Sequence, residues 1–365
     1  MKIAIITDTH HGVRNDNPVF QENIIRSLGW FFGEVKSRKI KTIFHLGDLY
    51  DRRRYINFKT ASEARKYFLE PIEKNKIEAH IIAGNHDIYY KDTNEINALR
   101  ELVGDRYSNI HVYDDPTVLN IGGTQIQFIP WSTERKRKQT IDVLQKTTAD
   151  IVMGHLDIKG LRLNRREVSR EGFEQSIFSR FDLVFSGHFH HKHSIGNIYY
   201  LGAFSEHDWN DHKDPRGFTI FDTETRKFEF IENPYSLHKA VYYDDADNKN
   251  ILTEIQQTDF GDLEGKIVKV ICRGRENLYA YELFMDAVHA ANPVSVVVEN
   301  DIKFLTEGLT TEDGIEEYNE ECAQDTPTIL DSYIKSLTLP MDNDKMSDYM
   351  KGLYRDAVSN THIRN

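Results

Sequence analysis

Thr42-Ile43-Phe44-His45-Leu46-Gly47-Asp48-Leu49-Tyr50-Asp51-Arg52-Arg53-Arg54 decides how this chain is read. Thr42-Ile43-Phe44 is an apolar run of the kind that forms a buried strand, so two carboxylates and three guanidiniums arrive together at its carboxyl end. In an open α/β sheet ligands bind in the crevice beyond the strand ends, which makes Asp48 and Asp51 site candidates. A polar turn capping the next helix is the commoner meaning of such a segment taken alone, so its neighbours must decide.

They repeat the pattern. Upstream, the β-rich run Lys2 to Thr7 ends at Asp8-Thr9-His10-His11-Gly12. Between these two strands, Phe20, Ile24, Leu28, Phe31, Phe32 and Val35 recur at three and four, which predicts a helix covering a sheet face. Downstream come a helix over Asn57 to Lys74 and a strand from Glu78 to Ala83 ending at Gly84-Asn85-His86-Asp87. This βαβαβ alternation predicts a parallel sheet. Further on, a helix is expected near Asn94 to Val103 and a hairpin over Thr117 to Ile129, turning at Gly122-Gly123. After a helix from Arg135 to Lys146, Asp150 to Met153 ends at Gly154-His155, and Phe181 to Phe185 ends at Ser186-Gly187-His188-Phe189-His190-His191. Strands over Asn197 to Leu201, Gly217 to Asp222 and Lys227 to Ile231 are read as the group that closes a two-sheet sandwich.

Glu232-Asn233-Pro234 reads as the exit from this first domain, residues 1–235. Ile267 to Cys272, a helix from Tyr279 to Ala291 and Val294 to Val298 make a small β-α-β unit, read as a separate domain over residues 236–300. Residues 301–326 read as an acidic flexible linker. Thr328 to Leu337 and Lys345 to Val358 predict a helix-loop-helix over residues 327–360. Such a hairpin cannot bury a core by itself, so its apolar side is expected to meet a partner.

Composition narrows the classes. A chain of 365 residues, 39% hydrophobic, supports a real core, and no apolar run approaches the roughly 18 residues of a membrane span. Cys272 and Cys322 make neither a disulfide framework nor a cysteine zinc site, which points to a reducing cytoplasm. The net charge of −12 is unevenly spread: Glu299 to Asp325 holds ten acidic residues against the single Lys303. The remainder is nearly balanced, with basic clusters at Arg52 to Arg54, Arg135 to Lys138 and Arg162 to Arg170, so an acidic pI does not exclude nucleic acid.

Five strand ends thus supply Asp8, His10, Asp48, Asn85, His155, His188 and His190. Hard oxygen donors mixed with imidazoles suit a borderline divalent ion such as Mn²⁺, Fe²⁺ or Zn²⁺, and seven ligands exceed what one ion takes from protein, so two ions are expected. Such a pair suits phosphoryl chemistry.

Asp8-x-His10, Gly47-Asp48-x-x-Asp51-Arg52, Gly84-Asn85-His86-Asp87, Gly154-His155 and Gly187-His188-x-His190 resemble the motif set of the calcineurin-like metallophosphoesterases. Ile129-Pro130-Trp131, Asp214-Pro215-Arg216-Gly217-Phe218 and Phe221-Asp222-Thr223-Glu224-Thr225 extend the likeness to the SbcD-type DNA double-strand-break repair nucleases and the nuclease subunits of T-even phage recombination endonucleases. The resemblance implies an α/β fold, a two-sheet sandwich flanked by helices with a small α/β cap and a C-terminal helical hairpin. It implies one ion held by Asp8, His10, Asp48 and His190, and another by Asp48, Asn85, His155 and His188, with Asp48 bridging. His86 is then the residue beside the phosphate, Asp51 orients it, and Arg52 binds a non-bridging oxygen. At Asp51 the chain departs from many archaeal and eukaryotic relatives, which carry His.

The function so implied is a DNA exonuclease/endonuclease that uses two Mn²⁺, with Mg²⁺, Fe²⁺ or Zn²⁺ as alternatives. It would act as a cytoplasmic homodimer with Leu99 and Leu102 as contacts, and with an SbcC-type coiled-coil ATPase gripping the C-terminal helices. No GxxxxGK[ST] occurs, so ATP must come from that partner. The alternatives are a phosphomonoesterase or cyclic-nucleotide phosphodiesterase of the same superfamily and a nuclease-dead scaffold, which the complete ligand set disfavours. His11, His191 and His193 fit no ligand slot and read as rim residues or supports; His45 reads as a core histidine.

Overall fold

The computed structural model describes residues 1–163, 167–246, 248–300 and 345–352. The first sheet contains β1 (Lys2–Ile6), β2 (Thr42–His45), β3 (Glu78–Ile82) and β4 (Ile110–Tyr113), parallel and adjacent in that order. The second contains β5 (Thr117–Ile121), β6 (Thr124–Ile129), β7 (Ile151–His155), β8 (Leu183–Gly187), β9 (His193–Ile195) and β10 (Ile198–Tyr200), in the order β5-β6-β7-β8-β10-β9. The expected hairpin is there, with Ile121 paired to Thr124 across Gly122 and Gly123, both at positive φ.

One expectation needs correcting. The late strands do not form a single closing group: β11 (Gly217–Asp222) and β12 (Phe228–Glu232) extend the first sheet, β11 running antiparallel to β1, while β10 pairs with β8 in the second. The reason is period-two burial. Ile3 and Ile5 of β1 face a core between the sheets with Phe128, Met153, Phe185 and Phe221, whereas Ala4 and Ile6 face the helices, so only a strand with two apolar faces, such as β11, can lie beside β1.

The helix Pro18–Ser37 covers the outer face of the first sheet with Phe20, Ile24, Leu28, Phe31 and Val35 buried, and Asn17 caps it by accepting from Val19 N. The helix expected over Asn57 to Lys74 is three segments, Phe58–Ala64, a π-helical turn Arg65–Leu69 and Glu70–Lys74. Pro71 has no N–H to continue a regular ladder, and the wide turn re-phases the helix so that Ala64, Phe68, Leu69 and Ile72 all face the core. The helix expected from Asn94 starts only at Ala98–Leu102, because Asn97 is its cap, accepting from Arg100 N at 2.9 Å while donating to Asp114 Oδ2 at 3.0 Å. Leu99 is fully buried there, so it cannot serve as the homodimer contact expected of it.

After β12 the chain forms a third, parallel sheet of β13 (His238–Tyr243), β14 (Ile267–Cys272) and β15 (Ser295–Asn300). With the helices Ile251–Gln257 and Leu278–Ala290 it encloses its own core of Tyr243, Leu263, Val268, Val270, Phe284 and Val288. The sequence pattern marks β14, the long helix and β15 but not β13, whose first two residues, His238 and Lys239, shorten the apolar run. Met1–Asp301 form one compact unit; of the second, residues 302–365, the described residues 345–352 are helical. The expected acidic linker and the Thr328 to Leu337 helix lie outside the described residues. Among the described residues, no helix is long and apolar enough to cross a membrane.

Candidate metal centre

The parallel strands of both sheets end on one edge of the sandwich, and the loops leaving them carry the donors. Asp8, His10, Asp48 and His188 all have positive φ, at 52°, 46°, 56° and 86°. Left-handed backbone at a non-glycine residue is disfavoured and persists only when its surroundings hold it. Here Asp8 N donates to Gly47 O and His10 N to Asp48 O, each at 3.1 Å, while His188 N donates to the Asp8 carboxylate. The carboxylate of Asp87 ties the loops together, accepting from Asp48 N (2.8 Å), Gly84 N (2.9 Å) and Tyr50 N (3.1 Å). Two glycines make the close approach feasible. A Cβ on Gly84 would lie 2.3 Å from Asp48 N, and one on Gly47 would lie 2.4 Å from His155 Nδ1.

The seven expected ligand residues converge. Asp48 Oδ2 lies 3.3 Å from His155 Nε2 and 3.6 Å from His10 Nε2. Asn85 Oδ1 is 3.0 Å from His155 Nε2, and Asp8 Oδ1 is 3.8 Å from His10 Nε2 and 3.9 Å from His190 Nε2. His10 Nε2 and His190 Nε2 face each other at 3.1 Å, and His188 shares a group of donor atoms with Asp48 and His155. His155 Nδ1 lies 2.7 Å from Leu46 O; a carbonyl only accepts, so Nδ1 carries the proton and Nε2 is the nitrogen that turns to the cluster.

Charge is concentrated here with little water to screen it. Burial raises Asp8. Burial would raise Asp48 as well, but the field and hydrogen bond of His155, followed by His10 and His86, hold it well below the usual carboxylate range. Burial alone would depress His10 and His155; for His10 the hydrogen bond to Asp51 and the fields of Asp48 and Asp8, and for His155 the Asp48 carboxylate, raise each to about 9. Burial drops His188 to about 3, His155 adding to the effect, and also drives His190 down. A buried cluster of two carboxylates and several imidazoles, some competing to be charged and some unable to be, is the donor set a divalent ion would relieve.

Asp51, Arg52 and His86 sit beside this cluster with partners that differ from the expected ones. The Asp51 carboxylate reaches His10, with Oδ1 3.1 Å from Nδ1, and it is the main-chain oxygen of Asp51 that meets His86 Nδ1. His86 N donates to Asp48 Oδ1 at 2.7 Å, and its ring centroid lies 4.8 Å from that of His10. Arg52 donates to Asn15 and to Tyr55 OH, both at 2.6 Å, and pairs with Asp16. Arg53 is the half-buried guanidinium that feels the Asp48 carboxylate, and among the described residues it has no ion-pair partner.

Sequence reasoning missed three contributors. Asp87 lies within a quoted motif, yet nothing in its local spacing signals four backbone donors. Trp131, whose ring centroid is 4.8 Å from that of His188, arrives from the end of β6. His207 stands 4.9 Å from His10 and 5.1 Å from His190 by ring centroids, with no motif around it. Of the remaining imidazoles, His11 is buried against Gln21 rather than on a rim, His191 pairs with Asp214, and His193 packs on Tyr200. His45 is fully buried and meets Thr9 Oγ1 at 3.0 Å.

Comparison with known proteins places this geometry. Residues 1–192 match the calcineurin-like phosphoesterase family. Over its full length the chain is similar to exonuclease subunit 1 of Enterobacteria phage T4, at 29% identity covering 98% of this chain and 100% of the phage protein. It is also similar to the SbcD component of the nuclease SbcCD from Staphylococcus epidermidis, at 24% identity over 97% of this chain and 98% of that one. The Staphylococcus saprophyticus counterpart is 22% identical over 93% of each.

Proposed function

The chain belongs to the calcineurin-like phosphoesterase family, a family of metal-dependent hydrolases, and on that premise we propose that it is a DNA nuclease, cutting phosphodiesters with two divalent ions. The observation that carries the reading is the convergence of Asp8, His10, Asp48, Asn85, His155, His188 and His190 around the fully buried carboxylate of Asp48. Asp8, His10, Asp48 and His190 would hold one ion and Asp48, Asn85, His155 and His188 the other, with Mn²⁺ as the first choice for both. When bound, such a pair makes a nucleophile available from water at neutral pH and offsets charge on the phosphoryl oxygens.

The chain's own groups do the rest. His86, with Nδ1 donating to the Asp51 carbonyl, has Nε2 to exchange a proton with the leaving oxygen. Arg53 supplies positive charge close to Asp48 for a non-bridging phosphate oxygen, while Arg52 is held by Asn15, Asp16 and Tyr55 at the rim. Asp51 keeps the His10 ring in place through Nδ1.

DNA as the substrate is supported by full-length similarity to proteins named as exonuclease and SbcCD nuclease subunits. The word subunit in those names supports a partner chain; an ATPase gripping residues 327–360, a homodimer, and the third sheet over residues 236–300 as a cap that contacts DNA complete the proposal. Cleavage of linear duplex, single-stranded DNA and an aryl phosphate in Mn²⁺ tests the reading. Wild type should cut DNA far faster than the aryl phosphate, and Asp48→Ala should abolish both; unimpaired DNA cleavage by Asp48→Ala would refute the two-ion site. Deletion after Asp325 should abolish co-purification with the ATPase while sparing metal binding, and retained association would refute the C-terminal contact.

A further inference from the structure

His207 is 4% exposed and sits in the loop after β10, outside every motif that supplied the other donors. Its ring meets those of His10 and His190 edge-on, at centroid distances of 4.9 and 5.1 Å, and one nitrogen from each of the three lies within 4.8 Å of the others. Its Nδ1 is buried with no hydrogen-bond partner, and its Nε2 makes only a long contact of 3.5 Å with Ser205 Oγ among the hydrogen bonds of the described residues. A buried nitrogen left unpaired costs free energy unless something else satisfies it.

The position of the ring is built rather than incidental. His207 N donates to Asp211 Oδ2 at 2.6 Å, and Arg14 Nε donates to His207 O at 2.9 Å. The other Asp211 oxygen accepts from Arg216, whose second nitrogen donates to the carbonyl of His190. One buried Asp211–Arg216 pair therefore fixes the backbone of both His190 and His207 and holds their rings against the same space.

We propose that His207 is a third imidazole ligand of the ion held by Asp8, His10, Asp48 and His190. This rests on the two-ion reading above and refines it. With three imidazoles that site becomes nitrogen-rich, whereas Asp48, Asn85, His155 and His188 supply two imidazoles and two oxygens. Nitrogen-rich sites favour the later, softer first-row ions, so the His207 site prefers Fe²⁺, Co²⁺ or Zn²⁺ over Mn²⁺ more strongly than its neighbour does. The pair of sites is thereby chemically unequal, and a mixed pair of ions is the natural occupancy.

Calorimetric titration of the full-length chain with Co²⁺ and, separately, with Mn²⁺ tests this, using wild type, His207→Phe and His207→Gln. Phe keeps the edge-on ring packing without the nitrogens, and Gln keeps polarity without an imidazole. Wild type should bind two Co²⁺, and both variants should lose about tenfold or more in Co²⁺ affinity at one site only, with a smaller loss for Mn²⁺ at the same site. Unchanged Co²⁺ affinity in a variant that melts like wild type without metal would overturn the assignment while leaving the two-ion reading intact. Wild type binding fewer than two ions would instead sink the two-ion reading itself. Loss of folding in both variants, seen by circular dichroism without metal, would assign His207 to packing and also overturn the proposal.

Discussion

The carboxylate of Asp87 accepts a hydrogen bond from the backbone N of Asp48 at 2.8 Å, joining the loop after β3 to the loop after β2 beside the candidate metal ligands. The same carboxylate holds Gly84 and Tyr50, so it braces the left-handed backbone that aims Asp48 at both expected ions. Its removal should act on metal binding first. Asp87→Ala is expected to weaken metal affinity by about 10- to 100-fold, as loss of a support behind a ligand does, and to lower thermal stability. Calorimetric metal titration alongside a melting curve checks this; wild-type affinity in the folded variant would show that the loops hold without the brace.

Asp51 and His86 should separate experimentally, because the Asp51 carboxylate serves His10 while only its main-chain oxygen serves His86. Asp51→Ala keeps that oxygen. It should lower metal affinity by about tenfold and leave the pH profile of the step that depends on His86 in place. His86→Ala should retain wild-type metal content and lose about 10²- to 10⁴-fold in kcat. Metal analysis beside steady-state kinetics distinguishes the two, and a normal metal content in Asp51→Ala would contradict this division.

Arg53 is partly buried and feels the field of the Asp48 carboxylate, whereas Arg52 is engaged by Asn15, Asp16 and Tyr55. Arg53→Ala should therefore reduce kcat/KM for DNA by roughly tenfold or more, in line with loss of a charge-assisted bond worth about 1.5–3 kcal/mol, while Arg52→Ala falls by less. The reverse order in a side-by-side assay would reassign the phosphate contact to Arg52.

Metal uptake should depend on pH in a direction set by two imidazoles. His10 and His155 are raised to about 9, so the metal-free protein carries both protons at neutral pH, and an ion needs both rings neutral. Apparent affinity should rise with pH up to about 9, and binding near pH 7 should release on the order of two protons. Titrations in buffers of different ionisation enthalpy count them; proton-neutral binding would mean the imidazoles are not the ligands.

Acid stability should follow two other histidines. His11 and His45 are lowered to about 3, chiefly by burial and secondarily by neighbouring imidazole charges. Because the unfolded chain binds these protons at a pKa of about 6.5 and the folded chain does not, stability is full above that value and is lost as pH falls toward 3. Each group costs on the order of 1 kcal/mol per pH unit within that window. Denaturant melts of His45→Gln at pH 7 and pH 5 should show a shallower loss than wild type.

The sequence alone determined the alternation of strands and helices, the five strand-end loops and the identity of their donors. Each of those depends on spacing within about twenty residues: the apolar stripe from Phe20 to Val35, the glycines at 47 and 84, the polar residues immediately after an apolar run. Tertiary structure decided the partners. Sheet order sent β11 to the first sheet and β10 to the second, because inward and outward burial are settled only when strands lie side by side. Asp51 took His10 and gave His86 its carbonyl, and Arg52 was taken up by Asn15 and Asp16. His207 reached the cluster from a loop that carries no motif. Side-chain direction at such positions is set by backbone φ and by hydrogen bonds between residues far apart in the chain, which no local pattern encodes.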